Sequence, residues 1–478
     1  MTFRWGAPVV LLLLSVLFAV LVIDGGHNWG GDFALYIMQA EALLDGSTEV
    51  LREVNGFSMR ASDFPNGPDL YPIGLPLMLL PVVASFGRDY LMMKVVLVLS
   101  MFFSGWATYK LFEKRVERKV WAFLVAVLVA FNFNTLYMVD VINSDIPFVA
   151  VSLWALFLAD RYGQSESVFR QVLLGVVIGF SFLLRVNGVL LLGALGLSRL
   201  LLDFSSILKF RKYIKANWKA LIPLVVFVGV FLVNAVFYGS GGGSYKSLLD
   251  EVTLGQVFSN VWYYATLPGD VIMPSQVPVL GRELVAVSLL FFVLLGMWGR
   301  FRKDSLFLLY IAMTLLLYII WPSRQGVRFV LPITPFYFYY LFVGLNRLFS
   351  QKYARMSFAG FVLVSCVFST AYTGNAFFNK NSDKIGRAES VEIFEYVKNN
   401  TAKEDRVVFE KPRVMYMLTG RQAVRYMNPN ESVMRELGAK LYVVEGRRAD
   451  ASDLRVVFSN DVFTVYGIPE QLATVKEL

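Results

Sequence analysis

VVLLLLSVLFAVLVIDGGHNWGGDFALYIMQAEALLDG, residues 9–46, joins an apolar run to a short polar loop and then to a second run of apolar and small residues. The first run, near residues 5–23, is long enough to cross a hydrocarbon core of ~30 Å. Arg4 precedes it, yet no convincing small-x-small cleavage site follows, so we interpret it as an uncleaved helix rather than a signal peptide. Asp32 begins the second run without an adjacent charged partner, which makes it a candidate functional residue.

The apolar pattern of this stretch recurs along the whole chain. The 478 residues are 56% hydrophobic with a mean hydropathy of +0.56, which excludes an ordinary soluble protein and indicates a polytopic membrane protein. Cationic loops on the cytoplasmic side account for a net charge of +9, so the charge does not indicate a nucleic-acid partner. Cys366 is the single cysteine, which excludes an intramolecular disulfide. Eleven candidate spans lie near residues 5–23, 91–112, 120–139, 146–159, 171–184, 186–202, 221–238, 284–299, 305–321, 329–349 and 357–373.

Basic loops set the predicted orientation, because Lys and Arg of short loops lie on the cytoplasmic side. Such residues follow the second, sixth, eighth and tenth runs. They lie on the same side of the membrane as Arg4 only if residues 71–87, YPIGLPLMLLPVVASFG, do not cross the membrane. We therefore predict that this proline-rich segment lies at the outer interface. Residues 24–90 then form a long first outer loop, with the N-terminus inside and the C-terminus outside. The basic residues are Lys114, Arg115, Arg118, Lys119, Lys209, Arg211, Lys212, Lys215, Lys219, Arg300, Arg302, Lys303, Arg347, Lys352 and Arg355.

Charged residues gather on the outer face under this topology. They occur in DVINSD (140–145), in the loop from Tyr238 to Arg282, and in WPSRQGVRFVLP (321–332). Ionisable groups at one membrane depth are costly and favour a functional site. For any single residue, simple solvation at the end of a span is an equal alternative.

The composition changes after the last span, and residues 376–478 indicate a small outer α/β domain that follows a transmembrane domain over residues 1–375. ESVEIFEYVKNN has a helical period, RVVFE and KLYVVE have the character of strands, and VVFSNDVFTVYGI is typical of a hairpin through Asn460 and Asp461. A helix at NESVMRELG, opened by Asn430 and closed by Gly438, precedes KLYVVE. This domain either recognises substrate or packs over the membrane domain.

Several chemistries are excluded by residue content. His27 is the single histidine, so with one cysteine the usual zinc and thiol-nucleophile sites cannot be assembled. GxxxxGK[ST] is absent, and GSGGGS at 239–244 lacks the following Lys, which disfavours ATP-driven transport. A transporter or flippase of lipid-linked sugars stays an alternative, although neither internal repeats nor midplane charges are evident.

The order of five motifs carries a resemblance to a known family. GDFALYIMQAEALLDG, YPIGLPLMLLP, NSDIPF, RFVLPITPFYFYY and the C-terminal KPRVMYMLTGRQAVRYM with LGAKLYVVE follow one another as in the GT-C superfamily of polyprenyl-phosphate-sugar-dependent glycosyltransferases. The chain most resembles bacterial relatives of the protein O-mannosyltransferases and of the aminoarabinose transferase of lipid A. The resemblance implies an α-helical polytopic membrane protein of the GT-C fold, with about eleven transmembrane helices and a small extracytoplasmic α/β domain.

The resemblance also implies that Asp32, the first acid of the outer loop, is the catalytic carboxylate. Chemistry independently favours a base here, because a hydroxyl that attacks an anomeric carbon gains nucleophilicity from one. Many relatives carry a second acid directly afterwards, where this chain has Phe33. That departure weakens a two-carboxylate scheme in the first loop.

Basic residues are expected to stabilise the leaving lipid phosphate. The resemblance favours Arg324 and Arg328, with Lys246 and Arg185 as further substrate-binding candidates. For Arg185, interfacial snorkelling is an alternative.

The remaining candidates are Asp140, Asp145 and Tyr71. Either acid could orient donor or acceptor, although Asp145 could equally be a helix N-cap. Tyr71 is expected at the mouth of a lipid-entry groove. A divalent cation shared by Asp32, Asp140 and Asp145 is left open, although nothing in their spacing requires one.

These expectations combine into one function. The chain is expected to be an inverting hexosyl- or pentosyltransferase that moves a sugar from a polyprenyl-phosphate donor to a hydroxyl of a glycolipid, polysaccharide or protein acceptor. The active face lies outside the cytoplasmic membrane, where nucleotide-sugar donors are not made. Oligosaccharide transfer ranks lower, because VWYYATLPGD is only distantly similar to the WWDYG motif.

Overall fold

The computed structural model describes residues 6–63, 67–202, 218–239, 252–379, 383–427, 431–447 and 454–469, and most of them are helical. Lys246, Asn430 and the basic stretch 209–215 lie outside the described residues. Short 3₁₀ turns occur at Val186–Gly188, Trp218–Leu221, Gly326–Phe329 and Leu331–Ile333. The α-helices before the sheet are α1 (Gly6–Val22), α2 (Gly31–Asp45), α3 (Thr48–Arg60), α4 (Gly74–Phe86), α5 (Tyr90–Phe112), α6 (Lys119–Ala130), α7 (Phe133–Val139), α8 (Asp145–Tyr162), α9 (Val168–Leu184), α10 (Val189–Leu202), α11 (Ile222–Tyr238), α12 (Leu254–Thr266), α13 (Pro268–Ile272), α14 (Val279–Arg300), α15 (Ser305–Ile319), α16 (Thr334–Leu348), α17 (Gln351–Phe378) and α18 (Ala388–Asn400).

The eleven apolar runs are helical over most of their length, which confirms a mainly helical chain. In the described part of the chain, four helical segments are long and apolar enough to cross a membrane: α5, Trp218–Val236, α14 and α17. The pair α6 and α7, bent by 51° at a short break, makes a fifth if it is one span. Other apolar helices, such as α1, α9 and α15, are shorter. The count of eleven crossings and the sides of the two termini therefore stay predictions.

The predicted first outer loop contains α2, α3 and α4. The proline-rich segment forms α4, whose 13 residues would extend for about 20 Å, less than the ~30 Å of a hydrocarbon core. Gly74 starts this helix, and a Cβ there would lie 2.6 Å from the carbonyl of Leu183 near the end of α9. The glycine thus lets α4 meet α9 just before Arg185, which places Tyr71 and Arg185 in one region.

The C-terminal region forms the expected α/β unit. Its strands are β1 (Arg406–Phe409), β2 (Gln422–Val424), β3 (Ala439–Glu445), β4 (Arg455–Ser459) and β5 (Phe463–Gly467), with helices α19 (Pro412–Thr419) and α20 (Glu431–Glu436) between them. In the described residues they form one sheet in the order β2-β1-β3-β5-β4. β1 pairs in parallel with β2 and β3, whereas β5 pairs antiparallel with β3 and β4. The predicted helix at 389–400, both predicted strands and the hairpin at Asn460 are confirmed. β2 and α19 were not predicted.

Trp29 anchors the first outer loop to this α/β unit. Its buried ring lies edge-on to Phe394, Phe409 and Phe463, with centroids about 6 Å away. Its Nε1 donates to Glu445 Oε1 over 2.9 Å. Aromatic contacts of this kind stabilise a core beyond the burial of apolar area. The α/β unit is thereby attached to the residues that lead directly into α2.

Candidate active site

One face of α2 organises the site. Asp32, Tyr36 and Gln39 follow each other at i, i+4 and i+7, so they lie on the same side of the helix. Asp32 is in the first turn, where the helix dipole favours a carboxylate. Gln39 holds the backbone of Tyr71, since its Nε2 donates to Tyr71 O over 2.8 Å and its Oε1 accepts from Tyr71 N over 3.1 Å.

Tyr71 is fixed on both faces of its ring. Tyr36 stacks on it with centroids 4.8 Å apart, and the guanidinium of Arg413 lies 5.0 Å from its centroid. The Tyr71 hydroxyl accepts from Arg413 Nη1 over 2.7 Å and donates to Asp32 Oδ1 over 2.6 Å. Burial raises the pKa of this hydroxyl, so it keeps the proton that it donates. The tyrosine therefore connects α2, the loop before α4 and the α/β unit.

The Asp32 carboxylate is surrounded by donors yet keeps 40% of its side chain exposed. Arg413 Nη1 lies 3.7 Å from Oδ1, and Arg328 Nη2 lies 3.5 Å from Oδ2. Burial acts to raise the pKa of Asp32, but the Tyr71 hydrogen bond and the Arg328 and Arg413 charges outweigh it and lower the pKa below its usual value. Asp32 is thus an ionised, accessible carboxylate.

Arg328 extends the site to a second carboxylate. Its Nε donates to Asp145 Oδ2 over 2.9 Å, and Arg185 Nη1 donates to Asp145 Oδ1. Asp145 begins α8 with its side chain 1% exposed, and its charge raises the pKa of Arg328. We call Arg413, Asp32, Arg328, Asp145 and Arg185 the arginine–aspartate network. Three cations and two anions leave it with one surplus positive charge.

Aromatic packing places Arg328 in this network. Phe329, next to it in the chain, stacks on Tyr318 at the end of α15 with centroids 4.1 Å apart. The Tyr318 hydroxyl accepts a hydrogen bond from Asn187 Nδ2, two residues after Arg185. The residues next to Arg328 and Arg185 thus hold the two arginines in place through Tyr318. Asp145 lies within hydrogen-bond distance of both guanidinium groups.

The structure brings together five of the eight candidate residues: Asp32, Tyr71, Arg185, Arg328 and Asp145. The N-cap alternative for Asp145 is wrong, because Ser144 occupies that position and Asp145 accepts from arginines. Snorkelling does not account for Arg185 either, since its guanidinium is paired with Asp145.

Asp140 lies in a different group of charges. Lys94 of α5, with its side chain 0% exposed, donates to Asp140 Oδ1 over 2.6 Å, to Asp24 Oδ1 over 3.1 Å and to Gly26 O over 2.8 Å. Separating these groups would leave a buried charge uncompensated, which is costly. The Lys94 contacts therefore hold the start of the first outer loop against α5. Sequence reasoning missed Lys94, which lies inside an apolar run.

Arg324 also lies apart from the network. Its Nε donates to Asn260 Oδ1 over 2.8 Å, its Nη2 donates to Ser259 Oγ, and its guanidinium lies 4.8 Å from the ring centroid of Tyr263. These partners belong to α12. Arg324 is therefore held by α12, although it lies only four residues before Arg328 in the chain.

The three carboxylates that could have shared a divalent cation are not assembled. Asp140 is paired with Lys94, whereas Asp32 and Asp145 each face arginines. Across the described ranges, no group of three or more His, Cys, Asp or Glu side chains could hold a metal ion.

Two further functional candidates emerge only from the structure. Arg413, 6% exposed, comes from α19 and bonds Asn55 Oδ1 through Nε over 3.0 Å while its Nη1 reaches Tyr71. His27 is buried, its Nδ1 donates to Asn28 O over 2.8 Å, and its Nε2 accepts from Ile142 N over 3.1 Å. Burial lowers the pKa of His27 to about 4, so the imidazole is neutral and positions the loop before Asp145. The KPRVMYM motif was the available signal for Arg413.

Known structures share this architecture. The apo structure of ArnT from Cupriavidus metallidurans is 13% identical and matches with a TM-score of 0.62 over 97% of this chain and 98% of that chain. ArnT bound to undecaprenyl phosphate is 13% identical and matches with 0.61 over 99% of each chain. The archaeal oligosaccharyltransferase AglB from Archaeoglobus fulgidus, in complex with an inhibitory peptide and a dolichol-phosphate, is 12% identical and matches with 0.53 over 93% of this chain and 70% of that chain.

No protein-family model matches the sequence, and no curated protein sequence matches it significantly. At these identities the structural likeness establishes the fold.

Proposed function

We propose, from the GT-C fold that the chain shares with ArnT and AglB and from the geometry around Asp32, that it is an inverting glycosyltransferase. It moves a sugar from a polyprenyl-phosphate donor to a hydroxyl of a cell-envelope acceptor at the outer face of the cytoplasmic membrane. The observation that carries the proposal is an accessible, ionised carboxylate within a network of surplus positive charge.

Arg328 is the proposed ligand of the donor phosphate. It is 29% exposed, and its contact with Asp32 is long at 3.5 Å, so a phosphate oxygen can replace that contact while Nε stays on Asp145. Arginine suits this role because its planar guanidinium offers several donors to a phosphate. Arg185 adds positive charge at the other oxygen of Asp145, and Arg324, which is bound to α12, stays a further candidate. Lys246 stays a candidate from the sequence.

Asp32 is the proposed general base. The acceptor hydroxyl attacks the anomeric carbon, its proton passes to Asp32, and the bond between that carbon and the phosphate oxygen breaks as the lipid phosphate leaves. Binding of the phosphate would withdraw Arg328 from Asp32 and add a nearby negative charge, and both changes raise the pKa of the carboxylate. Asp32 would thus become a stronger base when the donor is in place.

The test is transfer from a panel of radiolabelled polyprenyl-phosphate sugars into membrane acceptors at matched expression. Asp32→Asn should lower transfer about 10²- to 10⁴-fold, the usual contribution of general-base catalysis. Asp45→Asn is the matched control, since Asp45 is an exposed aspartate at the other end of α2 and should leave transfer unchanged. Equal transfer by wild type and Asp32→Asn would refute the catalytic role of Asp32 and would favour a transporter of lipid-linked sugars.

A further inference from the structure

A cavity of about 280 Å³ lies at one edge of the C-terminal sheet. Its walls come from the residues that follow β1 and β2, from the end of β3, and from Trp29 of the first outer loop. Because β1 pairs in parallel with both β2 and β3, this edge is the one where all three strands have their carboxyl ends. The cavity is therefore shared by the α/β unit and the loop that leads to Asp32.

The strand order makes this edge a preferred place for a ligand. From β1 the chain moves through α19 to β2 on one side, then through α20 to β3 on the other side of β1. The connection after β1 thus runs toward one side of the sheet, and the connection after its neighbour β3 runs toward the other. Such a reversal opens a crevice outside the carboxyl ends of the two strands, and ligands of α/β sheets bind in such crevices. The cavity lies at this position.

The residues around the cavity are typical of a saccharide site. Tyr426 supplies partly exposed aromatic surface beside the mostly buried rings of Trp29 and Tyr442, whereas Lys411 and Arg425 supply donors and Glu410 and Glu445 supply acceptors. Sugars present hydroxyl groups to such donors and acceptors, and their C–H faces pack on aromatic rings. Glu445 is already oriented by Trp29 Nε1 and by Arg387 Nη2, 3.3 Å away, and a carboxylate has capacity for further hydrogen bonds.

A nucleotide is a poorer fit to the same cavity. The turn after β1 is Glu410-Lys411-Pro412, which has no glycines, and Pro412 at the start of α19 has no N–H to offer a phosphate. Two carboxylates in the wall would also repel a pyrophosphate.

Chain connectivity links the cavity to the proposed catalytic carboxylate. Lys411 lies two residues before Arg413, which contacts Asp32 and Tyr71, and Trp29 lies three residues before Asp32. We propose that the cavity binds a saccharide of the acceptor beside the reacting hydroxyl, an inference that rests on the proposed glycosyltransferase function. The α/β unit then serves acceptor recognition, and the arginine–aspartate network serves the donor.

The test uses the full-length protein in nanodiscs with fluorescently labelled di- to tetrasaccharides, neutral and acidic, and separately with undecaprenyl phosphate. Lys411→Ala and Tyr426→Ala should each weaken saccharide binding about tenfold, the effect of losing one good contact. Lys440→Ala is the matched control. Like Lys411, it is a surface lysine paired with a carboxylate, but it lies near the amino end of β3 and should bind as wild type does.

The outcomes separate this inference from the proposed function. Weaker saccharide binding by the Lys411 and Tyr426 variants, with unchanged undecaprenyl phosphate binding, supports the acceptor cavity. Saccharide binding that is equal in all variants, or undetectable in wild type, overturns it without affecting the donor site. Failure of wild type to bind undecaprenyl phosphate or to transfer sugar would instead reject the proposed function.

Discussion

Replacing Tyr71 by Phe removes a hydroxyl that donates to Asp32 Oδ1 over 2.6 Å and accepts from Arg413 over 2.7 Å. The phenyl ring can keep its stacking on Tyr36 and its place beneath Arg413, so the change acts chiefly on hydrogen bonding. Asp32 in the wild type has a pKa below its usual value, partly because of this bond. We expect the variant to raise that pKa.

The size of the effect follows from the bond that is lost. A hydrogen bond to a charged group contributes about 1.5–3 kcal/mol, and because the Asp32 side chain is 40% exposed, solvent screening places it at the lower end. At 1.36 kcal/mol per pKa unit, the pKa of Asp32 should rise by about one unit. A base must be deprotonated to act, so the acidic limb of the pH–rate profile should move up by about one pH unit.

The measurement is kcat/KM for sugar transfer against pH, because this ratio reports ionisations of the free enzyme. Tyr36→Phe is the control, since the Tyr36 hydroxyl bonds Ser144 Oγ over 3.0 Å rather than Asp32. Each sample is returned to neutral pH and assayed again, which separates titration from acid inactivation. An acidic limb that coincides in wild type and Tyr71→Phe would refute both the bond and the role of Asp32 as base.

Two further predictions concern stability. Asp145→Asn leaves Arg185 and Arg328 without their shared carboxylate, so it should destabilise the fold by about 3–5 kcal/mol and lower Tm. Asp160→Asn, at the exposed end of α8, is the control and should cost under about 1 kcal/mol. Burial lowers the pKa of His27 to about 4 in the folded protein, against an ordinary 6.5. The neutral imidazole therefore contributes about 3 kcal/mol to the free energy of unfolding above pH 6.5, and this contribution is lost as the pH falls toward 4. His27→Gln should lack this pH-dependent component in thermal-unfolding scans across pH.

Each of these has a contrary result. Equal Tm values for the Asp145 and Asp160 variants would mean that the two arginines find other partners. Parallel pH–stability curves for wild type and His27→Gln would mean that the imidazole is not held neutral in the folded protein.

The helices and the C-terminal unit were predictable because their signals are local. Apolar runs of membrane-spanning length become helices whatever they pack against, since the backbone must satisfy its own hydrogen bonds in lipid. The hairpin at Asn460 was equally readable, because alternation and turn residues lie within a few positions of each other. β2, only three residues long, was missed because it carries too little pattern to identify.

The sequence by itself determined the apolar helical architecture and the α/β unit, and it predicted Asp32 and Arg328 as site residues. Only the tertiary structure decided how charges pair. Asp140 and Asp145 lie at the two ends of one short loop, yet Asp140 pairs with Lys94 and Asp145 pairs with two arginines. Arg413 reaches Tyr71 across 342 positions. A buried charge must be paired with an opposite charge, and tertiary packing decides which opposite charge lies beside it. No local pattern in the sequence identifies that partner.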